Sequence, residues 1–302
     1  KTMKKVLFAT SALVASAGVA FADVELKGAA EFGVINNGAD DADLQMFNSV
    51  SATAEMTGAT DNGLDFGATL TFRAGDDMEL DADDLGDNDA GGAFAALSST
   101  SLGSIYVSGA FGTLTFDEDG IDNLDDDDFS HDIQYDQSFG ALSLSVTFDV
   151  EDEGDSEEYS AKVGYTAGPL SVSVTGDDSG ESDVTVAYAL NDMLTLSANA
   201  DSDGQTVNGA DDAENTFTVA YSAGAFTGSV SFIDDDDDEW AASLGYTVGA
   251  LTLGAALGEN DGTAEADTEY NLSATYDLGG GMSIDAAANE AGAFFIGASM
   301  SF

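Results

Sequence analysis

The chain is assembled from short stretches in which apolar and polar residues alternate with a period of two. The last ten residues show the pattern clearly. Ile296, Ala298, Met300 and Phe302 fall on one side, and Ala293, Phe295, Gly297, Ser299 and Ser301 on the other. Such alternation predicts a strand with one apolar face. About 18 stretches of this kind follow one another along the chain. Over Val24–Asn36, Val24, Leu26, Ala30, Phe32 and Val34 oppose Glu25, Lys27 and Glu31. Over Leu64–Ala74, Phe66, Ala68, Leu70 and Phe72 oppose Asp65, Thr69, Thr71 and Arg73. Leu142–Val150 sets Leu142, Leu144, Val146, Phe148 and Val150 against a face that is mostly Ser and Thr. The region Leu102–Phe116 reads as one bent hairpin or as none, so the prediction spans 16 to 18 strands.

The connections between these stretches alternate in kind. Short, nearly uncharged turns such as Ser138-Phe139-Gly140-Ala141, Thr166-Ala167-Gly168-Pro169 and Ser222-Ala223-Gly224-Ala225 exchange with longer, acidic ones such as Gly75–Gly92, Asp117–Ser130 and Asp234–Glu239. Most of the 58 acidic residues lie in the longer set, while the short turns hold only Asp61, Asp192 and Asp277. Tyr135, Tyr165, Tyr188, Tyr221, Tyr246 and Tyr276 each precede a short turn. Charge at one end and tyrosine at the other predict an all-β fold. It is a transmembrane antiparallel β-barrel of about 16–18 strands, with tight turns on one side of the membrane and acidic loops on the other.

The amino terminus sets the compartment. Lys4 and Lys5 precede the apolar run Val6–Phe21, and Ala20-Phe21-Ala22 is a small-x-small cleavage pattern. Residues 1–22 are therefore predicted to be a secretory signal peptide and residues 23–302 the barrel domain. There is no Cys, so neither disulfides nor thiolate metal sites are available.

Charge narrows the function. Beyond residue 22 the only cations are Lys27, Arg73 and Lys162. By alternation all three face away from the apolar side, as do Glu25, Glu31, Glu55, Asp65 and Asp285. A cation on the lipid side costs about 2–4 kcal/mol at mid-depth, which pushes it inward. These eight residues are predicted to line a pore, with Lys27 and Arg73 at its narrow part, paired with nearby acids. A net acidic lumen predicts a preference for cations.

Chemistry adds little. His131 is the only histidine, stands beside Asp132 at the edge of an acidic loop, and reads as a solvated loop residue. No nucleophile motif, phosphate-cradling loop or His/Cys cluster occurs, so no enzymatic reaction is predicted. The acidic runs match no EF-hand spacing. No cofactor and no specific metal site is predicted, weak calcium or magnesium binding by the loops being the alternative. Nucleic acid is not an expected partner, because an acidic chain repels phosphate.

The opening Met3–Gly33, MKKVLFATSALVASAGVAFADVELKGAAEFG, resembles the signal peptide and first strand of alphaproteobacterial porins of the Rhodobacter type. The ending FFIGASMSF resembles their last strand, and a final Phe is similar to the terminal signal read during outer-membrane barrel assembly. The resemblance implies a general diffusion porin of the bacterial outer membrane. Such a porin is in contact with lipid, passes small hydrophilic solutes and cations, and is commonly a homotrimer. It also implies that the third outer loop folds inward, its acids set against a basic cluster on the wall. Here that loop is Asp117–Ser130, with Asp119, Asp122, Asp125, Asp126, Asp127 and Asp128 as constriction candidates. It is shorter than the family's loop and lacks a clear basic counterpart. The longer connection Gly75–Ser101 is the other candidate to occlude the pore. Two rival functions share parts of this pattern: a secreted or surface calcium-binding adhesin-like β-protein, and a barrel plugged by its own loops.

Overall fold

In the computed structural model, residues 23–38, 44–76, 96–125, 130–150, 158–202, 214–234, 239–260 and 267–302 are described. The signal peptide, Asp126–Asp128 and most of the second long connection lie outside these residues. Strands account for nearly all of the described chain: β1 (Asp23–Asn37), β2 (Gln45–Ala59), β3 (Asp65–Asp76), β4 (Ala96–Gly109), β5 (Gly112–Asp122), β6 (Ser130–Phe139), β7 (Leu142–Phe148), β8 (Tyr159–Ala167), β9 (Leu170–Asp177), β10 (Ser182–Asn191), β11 (Leu194–Ser202), β12 (Asn215–Ala223), β13 (Phe226–Asp234), β14 (Trp240–Val248), β15 (Leu251–Asn260), β16 (Asp267–Asp277), β17 (Met282–Asn289) and β18 (Ala293–Ser301). Each strand pairs antiparallel with its neighbours in sequence, and β1 also pairs with β18, which closes an 18-stranded sheet into a barrel. Closure leaves no unpaired edge, the condition a sheet must meet inside hydrocarbon. Of the predicted range, the upper number of strands is the one observed.

The apolar faces point outward. Leu26 and Met46 each expose 73% of their surface, and Phe72, Leu102, Leu244 and Ile296 are exposed in the same belt. Water would penalise such a belt, whereas lipid accepts it. A β-bulge on β4 keeps the belt continuous. Ala68 pairs with Ile105 and Leu70 with Leu102, so β4 carries one residue more than β3 across this step. The extra residue shifts the alternation by one. Leu102 and Ile105, of opposite parity, thereby both face outward. The same shift explains why this region was ambiguous as sequence.

At the short-turn end the register fixes the aromatic belt. Tyr165, Tyr188, Tyr221, Tyr246 and Tyr276 stand directly across from Leu142, Leu170, Leu194, Phe226 and Leu251. Phe226 and Tyr246 bring their ring centroids to 4.6 Å. Tyr135 follows the set, standing across from Leu114 of β5. Its hydroxyl also donates to the Phe111 carbonyl in the adjacent turn, at 2.5 Å. Gly168, Gly224 and Gly249 hold positive φ in these turns with open space around them, so backbone conformation alone calls for glycine.

The barrel closes where β1 meets β18. Gly28 N–H donates to the Phe302 carbonyl at 2.6 Å, and Phe302 N–H returns a bond to the Gly28 carbonyl at 2.9 Å. Inside the barrel, above this seam, lies an apolar cluster: Ile35, Phe47, Ala287, Ala293 and Phe295. Phe47 is 1% exposed. Its ring reaches from β2 across β1 to β18, occupying the space that side chains at Gly33 and Gly297 would take.

Candidate functional site

The inward-facing side chains form the candidate site. On the seam side, Glu25 and Glu55 are register partners, and Lys27 lies across from Thr53. Lys27 Nζ reaches Glu55 Oε1 at 2.5 Å, with the two side chains 52% and 37% exposed. A pair this wet adds little stability but neutralises the lysine locally. Arg73 stands on β3 across from Ser51, closer to the long-connection end than Lys27. Glu31 pairs in register with Ser299, and Ser299 Oγ donates to Asp285 at 3.1 Å. Ser283 Oγ donates to the same carboxylate at 2.6 Å. Asp65 sits apart, beside the short turn at the start of β3.

Lys162 lies on the far side of the barrel, on β8, between Ser145 of β7 and Thr175 of β9. Among the described residues it has neither an ion-pair nor a hydrogen-bond partner. Two acids flank it along the wall, and each is held by neutral donors. Asp136 accepts from Gln134 Nε2 at 3.1 Å and from Ser145 Oγ at 2.5 Å. Asp183 accepts from Asn199 Nδ2 and from Thr185 Oγ1.

The third long connection differs from its expected form. β5 continues through Asp117–Asp122, so Asp119 and Asp122 are strand residues and the connection itself is only 123–129. The strand is irregular there: four residues of β5 stand against one of β6, between the pairs Phe116–Ile133 and Ile121–His131. Beyond this excursion the chain turns inward. Ile121 and Asn123 are buried, and Leu124 N–H donates to Ser160 Oγ of β8 at 2.9 Å. Asp125 comes to rest near the β9–β10 turn, where one carboxylate oxygen each of Asp125, Asp177 and Glu181 lie within 4.8 Å of one another. Asp177 Oδ1 is taken by Ser179 Oγ and by the amides of Gly180 and Glu181, at 2.9–3.0 Å. Acids so crowded draw cations from the surrounding solution.

His131 is not solvated. It is 1% exposed, and its Nδ1 lies 2.6 Å from Thr147 Oγ1. Thr147 Oγ1 in turn lies 2.6 Å from Ser160 Oγ, and both hydroxyl residues are fully buried. Ser160 already accepts from Leu124. The proton order that satisfies both hydroxyls runs from Ser160 to Thr147 to His131 Nδ1. The histidine anchors the inward connection to three strands. Nothing in its local sequence signals this, since the contact depends on cross-strand register. The apolar cluster at the seam did leave a signal: Val34-Ile35, Met46-Phe47 and Phe294-Phe295 each break the alternation with two adjacent apolar residues, near Gly33 and Gly297.

An 18-stranded barrel with a polar, mostly acidic interior and an apolar exterior leaves a lumen. Comparison with known proteins agrees with this architecture. The Gram-negative porin family profile matches residues 9–292. A porin of Rhodobacter capsulatus is 30% identical over 294 residues, covering 87% of this chain and 92% of that protein. Among solved structures, a variant of Rh. blastica porin matches with a TM-score of 0.56 and 18% identity, covering 93% of this chain and all of the other. A second refined porin structure matches with a TM-score of 0.51 and 21% identity over the same shares. The chain belongs to the Gram-negative porin family, the channel-forming barrels of the bacterial outer membrane.

Proposed function

We propose that this porin is a water-filled channel for passive diffusion of small hydrophilic solutes and ions, and that it prefers cations. One observation carries the preference. By alternation the acids of the inner face, among them Glu25, Glu31, Glu55, Asp65, Asp136, Asp183 and Asp285, outnumber the cations Lys27, Arg73 and Lys162, and Lys27 is already neutralised by Glu55. The acidic connections at the outer end add to the same field. Low-dielectric walls focus such a field and raise the local concentration of cations. Salt screens it, so the preference weakens as ionic strength rises. The homotrimer implied by the family resemblance belongs to this reading, as does the inward third connection as the constriction.

The test is single-channel conductance and reversal potential of the refolded protein in a planar bilayer under a potassium chloride gradient. Stable steps with a reversal potential favouring potassium are expected, and Arg73→Ala is expected to move it further in that direction. Anion preference would sink the selectivity. Silence from protein that is folded β-structure in detergent would replace the open channel by a plugged barrel.

A further inference from the structure

On the inner wall formed by β7–β10, a recess of about 200 Å³ opens beneath Lys162. Ser143, Ser145, Ser171, Ser173 and Thr185 are among the side chains that line it. Glycine at 164 keeps the floor low, since an added Cβ would collide with Ser143 Oγ. The volume is below the roughly 300–1,000 Å³ of drug-sized sites, which suits a solute of sugar size. Hydroxyl groups both donate and accept, so a wall of them matches a solute that is itself rich in hydroxyls. The recess holds one positive charge, and among the described residues no side chain pairs with it. Asp136 and Asp183, the acids nearest along the sheet, are engaged by Gln134, Ser145, Asn199 and Thr185.

We infer that this recess is a binding site for a small polyhydroxylated monoanion of the sugar-acid class. Its carboxylate meets the Lys162 ammonium and its hydroxyls meet the serine wall. The site gives such a solute one favourable resting point in a lumen that otherwise repels anions. A single cation selects a single negative charge. A divalent anion gains no second partner and meets twice the repulsion. The inference rests on the open-channel reading above, and it adds a solute class to it.

Potassium gluconate is the probe, added at constant potassium chloride to single channels in a bilayer. Gluconate is expected to reduce the open-channel current at millimolar concentration, with glucose and acetate each needing far more. Lys162→Gln is expected to raise the half-effective gluconate concentration about tenfold, the usual loss for a hydrogen bond to a charged group. Lys162→Arg keeps the effect, and Ser171→Ala with Ser173→Ala weakens gluconate but not acetate. Saturation-transfer NMR on the detergent-folded protein reads the same binding without any current, so a silent channel does not block the test. Equal potency of acetate and gluconate, equal potency of glucose and gluconate, or no change in Lys162→Gln would each overturn the site. Loss of potassium chloride steps in the unsubstituted protein, with gluconate binding intact by NMR, would count against the open channel and leave the site standing.

Discussion

On the wall made by β18, β1 and β2, the lysine is paired with Glu55 and the ring of Phe47 packs over two glycines. On the wall made by β7–β10, nearly half the circumference away, Lys162 stands without a partner among the described residues and hydroxyls replace the apolar cluster. Both walls obey the same alternation and present the same kind of outer face to lipid. They differ in what the inner face is for. The seam side spends its inner positions on holding together strands from opposite ends of the chain. The far side pairs strands that are neighbours in sequence, so its inner positions are available to solutes and to the inward connection.

The largest test of this contrast is Phe47→Ala. Removing a buried Phe leaves a cavity, and the expected loss is about 3–5 kcal/mol. It is read from urea unfolding in detergent or from the temperature at which the folded form loses its electrophoretic mobility. Phe72→Ala, on the lipid face, is expected to cost much less. Equal losses would erase the special status of the seam.

A smaller effect is expected from Thr147→Val on the far wall. It leaves the Ser160 hydroxyl without its acceptor, a cost of about 1–3 kcal/mol. Amide exchange at Leu124 should quicken while exchange in β1 and β18 stays the same. Quickening in both places would mean that the walls are not independent. The smallest change is predicted for the charges. Lys27→Gln combined with Glu55→Gln removes a neutral pair and should leave the reversal potential unmoved. Lys162→Gln removes a net charge and should shift it toward potassium. A shift from the double variant as large as that from Lys162→Gln would show that the seam pair is not acting as a neutral unit.

Much of the architecture was legible in the sequence, because lipid imposes a strict rule. Every outward position must be apolar, so period-two alternation reports the strands and their faces directly. The two kinds of connection reported the two ends. Where the rule relaxes, the reading failed. The bulge in β4 hid a strand pair by changing parity. The acids Asp117–Asp122 look like a loop but extend β5, through an irregular excursion between Phe116 and Ile121. His131 looked solvated because its partners, Thr147 and Ser160, lie on other strands. The eight residues expected to line the pore were chosen by alternation alone. Which of them meet, as Lys27 does Glu55, and which stand apart, as Lys162 does, is decided by cross-strand register, which no single stretch contains.

The pairing of β1 with β18 also has a kinetic consequence. Seventeen of the strand pairings join neighbours in sequence, so each closes a modest loop. This one joins residues as far apart as Gly33 and Gly297. Loop entropy rises only slowly with length, but the search must finish before any contact rewards it. Barrel closure is then the slow, late event of assembly. The ring of Phe47 sits where it can be gained only at that moment. Its contribution should appear mainly in the rate at which a closed barrel reopens, making the seam a latch that sets the lifetime of the pore.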